Sequence, residues 1–95
     1  HASAQAGVEM EDQTPQTLFW NKVVDPQPYS DGKKIICGHT AQKNGFVADF
    51  GHTICVDTYA YGGQWLTCLD VEWGQYWQTN QKGQVRKGQL LYKRV

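Results

Sequence analysis

The chain has 95 residues, 40% of them hydrophobic and 13% aromatic, and its nine basic and nine acidic side chains leave no formal net charge. That length holds one domain at most, with enough apolar content for a core and no apolar run near the roughly 18–20 residues that span a bilayer. Neutrality supplies no general attraction to nucleic acid or to a membrane surface.

The charge is unevenly spread. Residues 1–32 carry five acids (Glu9, Glu11, Asp12, Asp25, Asp31) against Lys22, a net of −4, and residues 33–95 carry eight bases against four acids, a net of +4. Three cysteines, Cys37, Cys55 and Cys68, show no C-x-x-C spacing and fall in strand-like segments. They read as small buried hydrophobes, which points to a reducing, cytoplasmic compartment and away from a disulfide framework. The chain opens on His1 without a signal-peptide pattern or an initiator methionine, so a start made by processing or splitting is expected.

Residues 3–13 are small, polar and acidic, and read as a loop. Thr14-Pro15 is a helix start, with threonine as N-cap and proline where its missing N–H costs nothing. The predicted helix runs from about Pro15 to Val24 and pairs Phe19 with Val23 and Trp20 with Val24. Asp25-Pro26-Gln27-Pro28 stops it, and residues 25–32 form a linker and turn. Strands are predicted at about 34–38, 46–50, 53–57, 65–71 and 75–79, with turns at Asn44-Gly45 and Tyr61-Gly62-Gly63 and a hairpin closed by Glu72-Trp73-Gly74. Residues 65–71 are apolar on both faces, as in a strand sandwiched between layers. Leu90-Leu91-Tyr92 is a further strand or an edge extension. The fold class is α+β, mostly β, with one short helix followed by about five strands. It forms a single partial domain over 1–95, in which an acidic loop, helix and Pro-rich linker (1–32) precede a β-rich segment (33–95).

The segment Lys33-Lys34-Ile35-Ile36-Cys37-Gly38-His39-Thr40 is a short apolar run that ends in Gly-His-Thr. A histidine just beyond a strand's C-terminal end sits where α/β-type sheets place ligands and metals. Gly38 is expected to make the sharp turn, and Thr40 to hydrogen-bond it. Read alone, the tripeptide serves equally well as a structural histidine.

The succession His39-Thr40-Ala41-Gln42-Lys43-Asn44-Gly45-Phe46-Val47, Ile54-Cys55-Val56-Asp57-Thr58 and Gly63-Gln64-Trp65-Leu66-Thr67-Cys68-Leu69-Asp70-Val71 resembles the C-terminal half of calcineurin-like metallophosphoesterases. Within them it is most similar to the bacterial and phage serine/threonine protein phosphatase branch. His1-Ala2, Gln13, Leu18, Trp20, Asn21 and Lys22 fit the same branch, which has a strand ending in His-Ala, an acidic loop, a glutamine and a Leu-x-Trp-x-Arg helix. The resemblance covers roughly residues 1 to 80. It implies a four-layer αββα sandwich of which this chain is the C-terminal half.

By the same resemblance His1 and His39 are metal ligands and Lys22 contacts substrate phosphate; Thr40 and Asp57, by position, are candidates to orient the site from behind. The complete family enzyme holds two divalent metal ions (Mn, Fe or Zn) and hydrolyses phosphoproteins or small phosphomonoesters. Ala41 stands where the family has proline, Tyr59 where it has glycine, and Lys22 where it has arginine, which removes the bidentate fork but keeps the charge. The Asp-x-His, Gly-Asp-x-x-Asp and Gly-Asn-His-Glu motifs do not occur. No catalytic acid is therefore assigned to this chain, which is expected to be inactive alone and to need self-association or a complementary N-terminal chain.

Other readings stay open. His52 reads as a turn histidine, Lys22 equally as a solvated helix-face lysine, and Asp57-Thr58 also as a strand-end cap. Trp73, Tyr76 and Trp77 are either a stacking platform or cross-strand packing. The alternative function is a small β-rich binding module for carbohydrate, peptide or nucleic acid. Nucleic acid is the least favoured of these, although the segment from Lys82 to Arg94 has five bases and no acid.

Overall fold

The structure is a computed structural model that describes residues 1–30 and 32–91. The helix begins as the sequence predicts: Thr14 Oγ1 accepts the Thr17 N–H at 3.2 Å, with Pro15 in the first turn. Helix α1 spans only Pro15–Phe19, however, because Trp20 leaves helical geometry at φ −127°. The N–H groups of Trp20 and Asn21 both converge on Gln16 O, each at 3.0 Å, which closes the end. Val23 gives its N–H to Thr40 Oγ1 at 2.8 Å instead of to a helical carbonyl. A tertiary partner thus wins over local pairing, at two β-branched residues with little helix preference to lose. The loop over 3–13 contains one 3-10 turn, Met10–Asp12, and is buckled by the side chain of Gln13. Its amide accepts from Gln5 N and donates to Gln5 O and Val8 O at 2.8–2.9 Å.

Apart from a 3-10 turn at Ala60–Gly62, the remaining elements form two three-stranded sheets. In the first, β1 (Ile35–Cys37) runs parallel to β3 (Thr53–Cys55), and β2 (Ala48–Asp49) pairs antiparallel on the other side of β3. The second is an antiparallel meander of β4 (Leu66–Leu69), β5 (Gln75–Thr79) and β6 (Val85–Gln89). The Glu72-Trp73-Gly74 hairpin forms as expected: Asp70 Oδ1 accepts the N–H groups of Glu72 and Trp73, and Gly74 takes φ 78°. Strand β6 lies earlier than the Leu90-Leu91-Tyr92 segment. Leu90 and Leu91 are outside any strand, and Tyr92 lies outside the described residues. The described residues are therefore α+β and mostly β, with six short strands in place of about five.

A buried network joins the sheets. Gly45 O accepts from Gln78 Nε2 at 3.0 Å and from Arg86 Nη2 at 2.8 Å. The Arg86 guanidinium lies between the rings of Phe46 and Trp65, 4.6 and 4.1 Å from their centroids. Thr58 Oγ1 bonds both Trp65 O and Thr67 Oγ1.

The apolar core is small. Among the described residues its fully covered hydrophobic side chains are Ala2, Cys37, Ile54 and Cys55. Two expectations are corrected here. Strand β4 is not covered on both faces, since Leu66 and Cys68 point outward while Thr67 and Leu69 point in. Cys68 is accordingly exposed, and Trp73 and Trp77 stand at the surface rather than in the core. Register places Leu66, Cys68, Trp77 and Val85 on one outer face, with Leu66 62% and Val85 73% exposed. An uncovered apolar sheet face favours association. At micromolar concentration the chain is expected to sediment above the mass of one copy. A monomer with a cooperative melt would show that water tolerates this face as it stands.

Among the described residues, no helix is long and apolar enough to cross a membrane.

Candidate functional site

The C-terminal ends of β1 and β3 and the N-terminal segment meet at one point. Gly38 N–H donates to His1 O at 2.8 Å, and Ala2 N–H donates to Leu18 O at 2.7 Å. His1 is thereby laid between the end of β1 and the end of α1. The turn that follows is tight: Thr40 N–H reaches back to Gly38 O at 2.7 Å, closing a three-residue γ-turn centred on His39. The left-handed residue is His39 itself, at φ 67°, and not the glycine before it. This positive-φ γ-turn is the rarer and more strained form, although histidine tolerates left-handed φ better than most side chains. Strain of this kind persists where the surroundings impose it, and it clusters at functional positions.

The turn sets the His39 ring against that of His1, with centroids 5.1 Å apart and planes at 62°. The Trp20 indole closes a third side, edge-on to His39 at 6.2 Å. Lys22 Nζ donates to His39 O at 3.1 Å, so the one base of the N-terminal third stands on the same turn. Thr40 contributes through its hydroxyl, which ties Val23 to the turn. Asp57, two residues beyond β3, accepts the Gln42 N–H through its backbone O at 2.8 Å and the Tyr59 N–H through its Oδ1 at 3.3 Å, and neither bond reaches the two rings. His52 lies at the opposite end of the first sheet, in the turn between β2 and β3, with its Nδ1 2.8 Å from Thr53 Oγ1. It takes no part in the cluster.

The 5.1 Å spacing suits an ordinary edge-to-face ring contact and equally a shared ion. A metal about 2.1 Å from one nitrogen of each ring lies roughly 3.2 Å from each centroid, and a tetrahedral angle then separates the centroids by about 5.2 Å. Among the described residues no group of three or more His, Cys, Asp or Glu side chains gathers for an ion. Two imidazoles fit one ion in part and cannot complete two divalent sites, which call for carboxylate oxygens as well.

A thiol pair lies directly beneath the turn. Cys37 and Cys55 are register partners across β1 and β3, and Cys37 Sγ reaches across to Ile54 O at 3.7 Å. The Cys37 thiol is pushed up, first by its neighbour Cys55 and then by burial. The Cys55 thiol is pulled down, first by its neighbour Cys37 and against its own burial. As a neutral thiol Cys55 donates to Thr40 O at 3.2 Å and lies 3.8 Å from Gly38 O, which places its sulfur on the carbonyls either side of His39. Strand-like context marks these cysteines as buried, but only the parallel register brings them together. The Gly45–Gln78–Arg86 network has no local sequence signal.

Comparisons with protein-family models, with curated proteins and with solved structures found no match.

Proposed function

We propose that this chain is the C-terminal part of a metal-dependent phosphoesterase of the calcineurin-like kind, contributing two histidine ligands to its metal centre. The observation that carries the reading is the His1–His39 ring spacing of 5.1 Å, produced by a strained turn. The ordered motifs at both ends of the site, from His1-Ala2 to Gly38-His39-Thr40, support the same family and the half of a four-layer sandwich that it implies. His1 and His39 hold the ion, Asp57 and Thr40 brace the strand ends that carry the turn, and Lys22 offers its ammonium to a phosphate oxygen. A bound divalent ion would supply Lewis acidity toward the phosphoryl oxygen and a more acidic bound water. The remaining ligands and the leaving-group acid come from carboxylate, amide and histidine groups of a complementary chain or segment. Buried free thiols suit a reducing, cytoplasmic compartment. A second reading, a β-rich binding module, is favoured only by the surface positions of Trp73 and Trp77.

Substoichiometric manganese tests the first reading. Its paramagnetism should broaden the imidazole NMR signals of His1 and His39 together while leaving His52 sharp. In His39→Ala the effect on His1 should weaken at least about tenfold, the loss of roughly 1.4 kcal/mol or more of affinity. Equal broadening of all three histidines, or a His1 response unchanged in His39→Ala, would refute a shared ion.

A further inference from the structure

The cross-strand thiol pair is a feature that metal binding does not use. We propose that Cys37 and Cys55 form a reversible disulfide and that its formation releases the His39 turn. Three observations carry this. The cysteines are direct register partners on neighbouring strands, and such strands lie about 4.8 Å apart, inside the 4.4–6.8 Å Cα window of disulfides. The Cys37 sulfur already leans across to β3, 3.7 Å from Ile54 O, the carbonyl just before Cys55. The remaining cysteine, Cys68, sits on the outer face of the other sheet and does not compete.

Release of the turn follows from counting protons. A disulfide has no S–H, so the donation from Cys55 Sγ to Thr40 O at 3.2 Å and the contact of Cys37 Sγ with Ile54 O at 3.7 Å both lose their hydrogen. The sulfurs must also close to about 2.05 Å, which swings them toward each other. The turn that they support is the strained one, so removing its support lets His39 relax away from φ 67° and its ring leave His1.

Hydrogen peroxide suffices as the oxidant. The Cys55 sulfur attacks one peroxide oxygen, the O–O bond breaks, and a sulfenic acid and one water form. The Cys37 sulfur then attacks the Cys55 sulfur, making the S–S bond and expelling the second water with the Cys37 proton. Two electrons pass from the sulfurs to the peroxide. Both sulfurs are covered (Cys37 6% exposed, Cys55 0%), so the reaction depends on local opening of the turn and runs slower than oxidation of exposed Cys68.

The test uses the full chain carrying Cys68→Ser, a surface change, in metal-free buffer with a chelator. The peroxide exposure is extended well beyond that which fully oxidises Cys68 in the unchanged chain, because the buried pair reacts more slowly. The expected product has lost two hydrogens by intact mass. After trypsin it shows the Ile35–Lys43 peptide joined to the peptide containing Cys55, and a dithiol reductant reverses both changes. The nuclear Overhauser contact between the His1 and His39 rings should vanish on oxidation and return on reduction. Cysteines that stay fully alkylatable, or that gain oxygens singly without linking, would overturn the disulfide. A disulfide that leaves the ring contact intact would overturn its link to the turn. No metal is present, so failure of the metal reading is a separate result.

Discussion

Replacing Arg86 by alanine is expected to lower the melting temperature by roughly 15 °C, while Lys87→Ala, one residue along the same strand, should barely move it. The two side chains point to opposite faces of β6. Lys87 stands exposed on the outer face, and Arg86 reaches inward between Phe46 and Trp65. Its Nε donates to Gln78 Oε1 at 2.5 Å and its Nη2 to Gly45 O at 2.8 Å, so one guanidinium ties the second sheet to the loop leading into β2. Truncation removes both bonds and the stacking, worth about 1–2 kcal/mol at this half-buried site. It also leaves Gln78 Oε1 without its donor in a side chain that is only 1% exposed, a further cost of about 1–3 kcal/mol. The sum, about 3 kcal/mol, is large for a chain of this size. Arg86→Lys should recover only part of it, because an ammonium cannot reproduce the planar fork or the stacking. Thermal unfolding followed by far-ultraviolet circular dichroism measures the series. A loss in Arg86→Ala no larger than in Lys87→Ala would mean that the network does not hold the sheets together.

Arg86 also shows why β6 is hard to read in sequence. Its inward positions are Arg86 and Gly88, a cation and a glycine, and neither registers as part of an apolar alternation. The glycine is there because Tyr76 lies across it. A Cβ at Gly88 would come within 2.4 Å of the Tyr76 ring, so the aromatic of β5 supplies the apolar cover that β6 lacks. Where the cues are local, the reading holds: Thr14-Pro15 starts the helix, Gly74 closes the hairpin, and β5 spans Gln75–Thr79. Where a distant group intervenes it does not, as when Thr40 takes the N–H of Val23 and the helix ends early. The candidate site divides in the same way. Gly38-His39-Thr40 is legible as a turn beyond a strand, but not which residue of it takes the left-handed conformation. The approach of His1 depends on one backbone bond from Gly38, and only family resemblance anticipates it. The Cys37–Cys55 contact depends on a parallel register that no local pattern encodes.

The register makes a sharper prediction about the first sheet. Ile36 and Ile54 are partners across β1 and β3, alike in chemistry and on the same face. Strand order alone separates them: β3 lies between two neighbours and β1 at an edge. Ile54 is 0% exposed and Ile36 37% exposed. Ile54→Ala should therefore cost about 3–4 kcal/mol, combining lost transfer energy with a cavity that the flanking strands cannot collapse. Ile36→Ala should cost under about 1 kcal/mol, since water already reaches its side chain. For a core this small, total stability lies near the low end of the usual range, about 5 kcal/mol, so the first substitution consumes most of it. Urea unfolding decides the matter through the midpoint at constant slope. Ile54→Val, which removes one methylene, should fall near 1 kcal/mol and keeps the comparison measurable if Ile54→Ala does not fold. Equal losses at Ile36 and Ile54 would place the centre of the core elsewhere. The thiol pair and the His39 turn, both set against the end of β3, would then lose their rigid support.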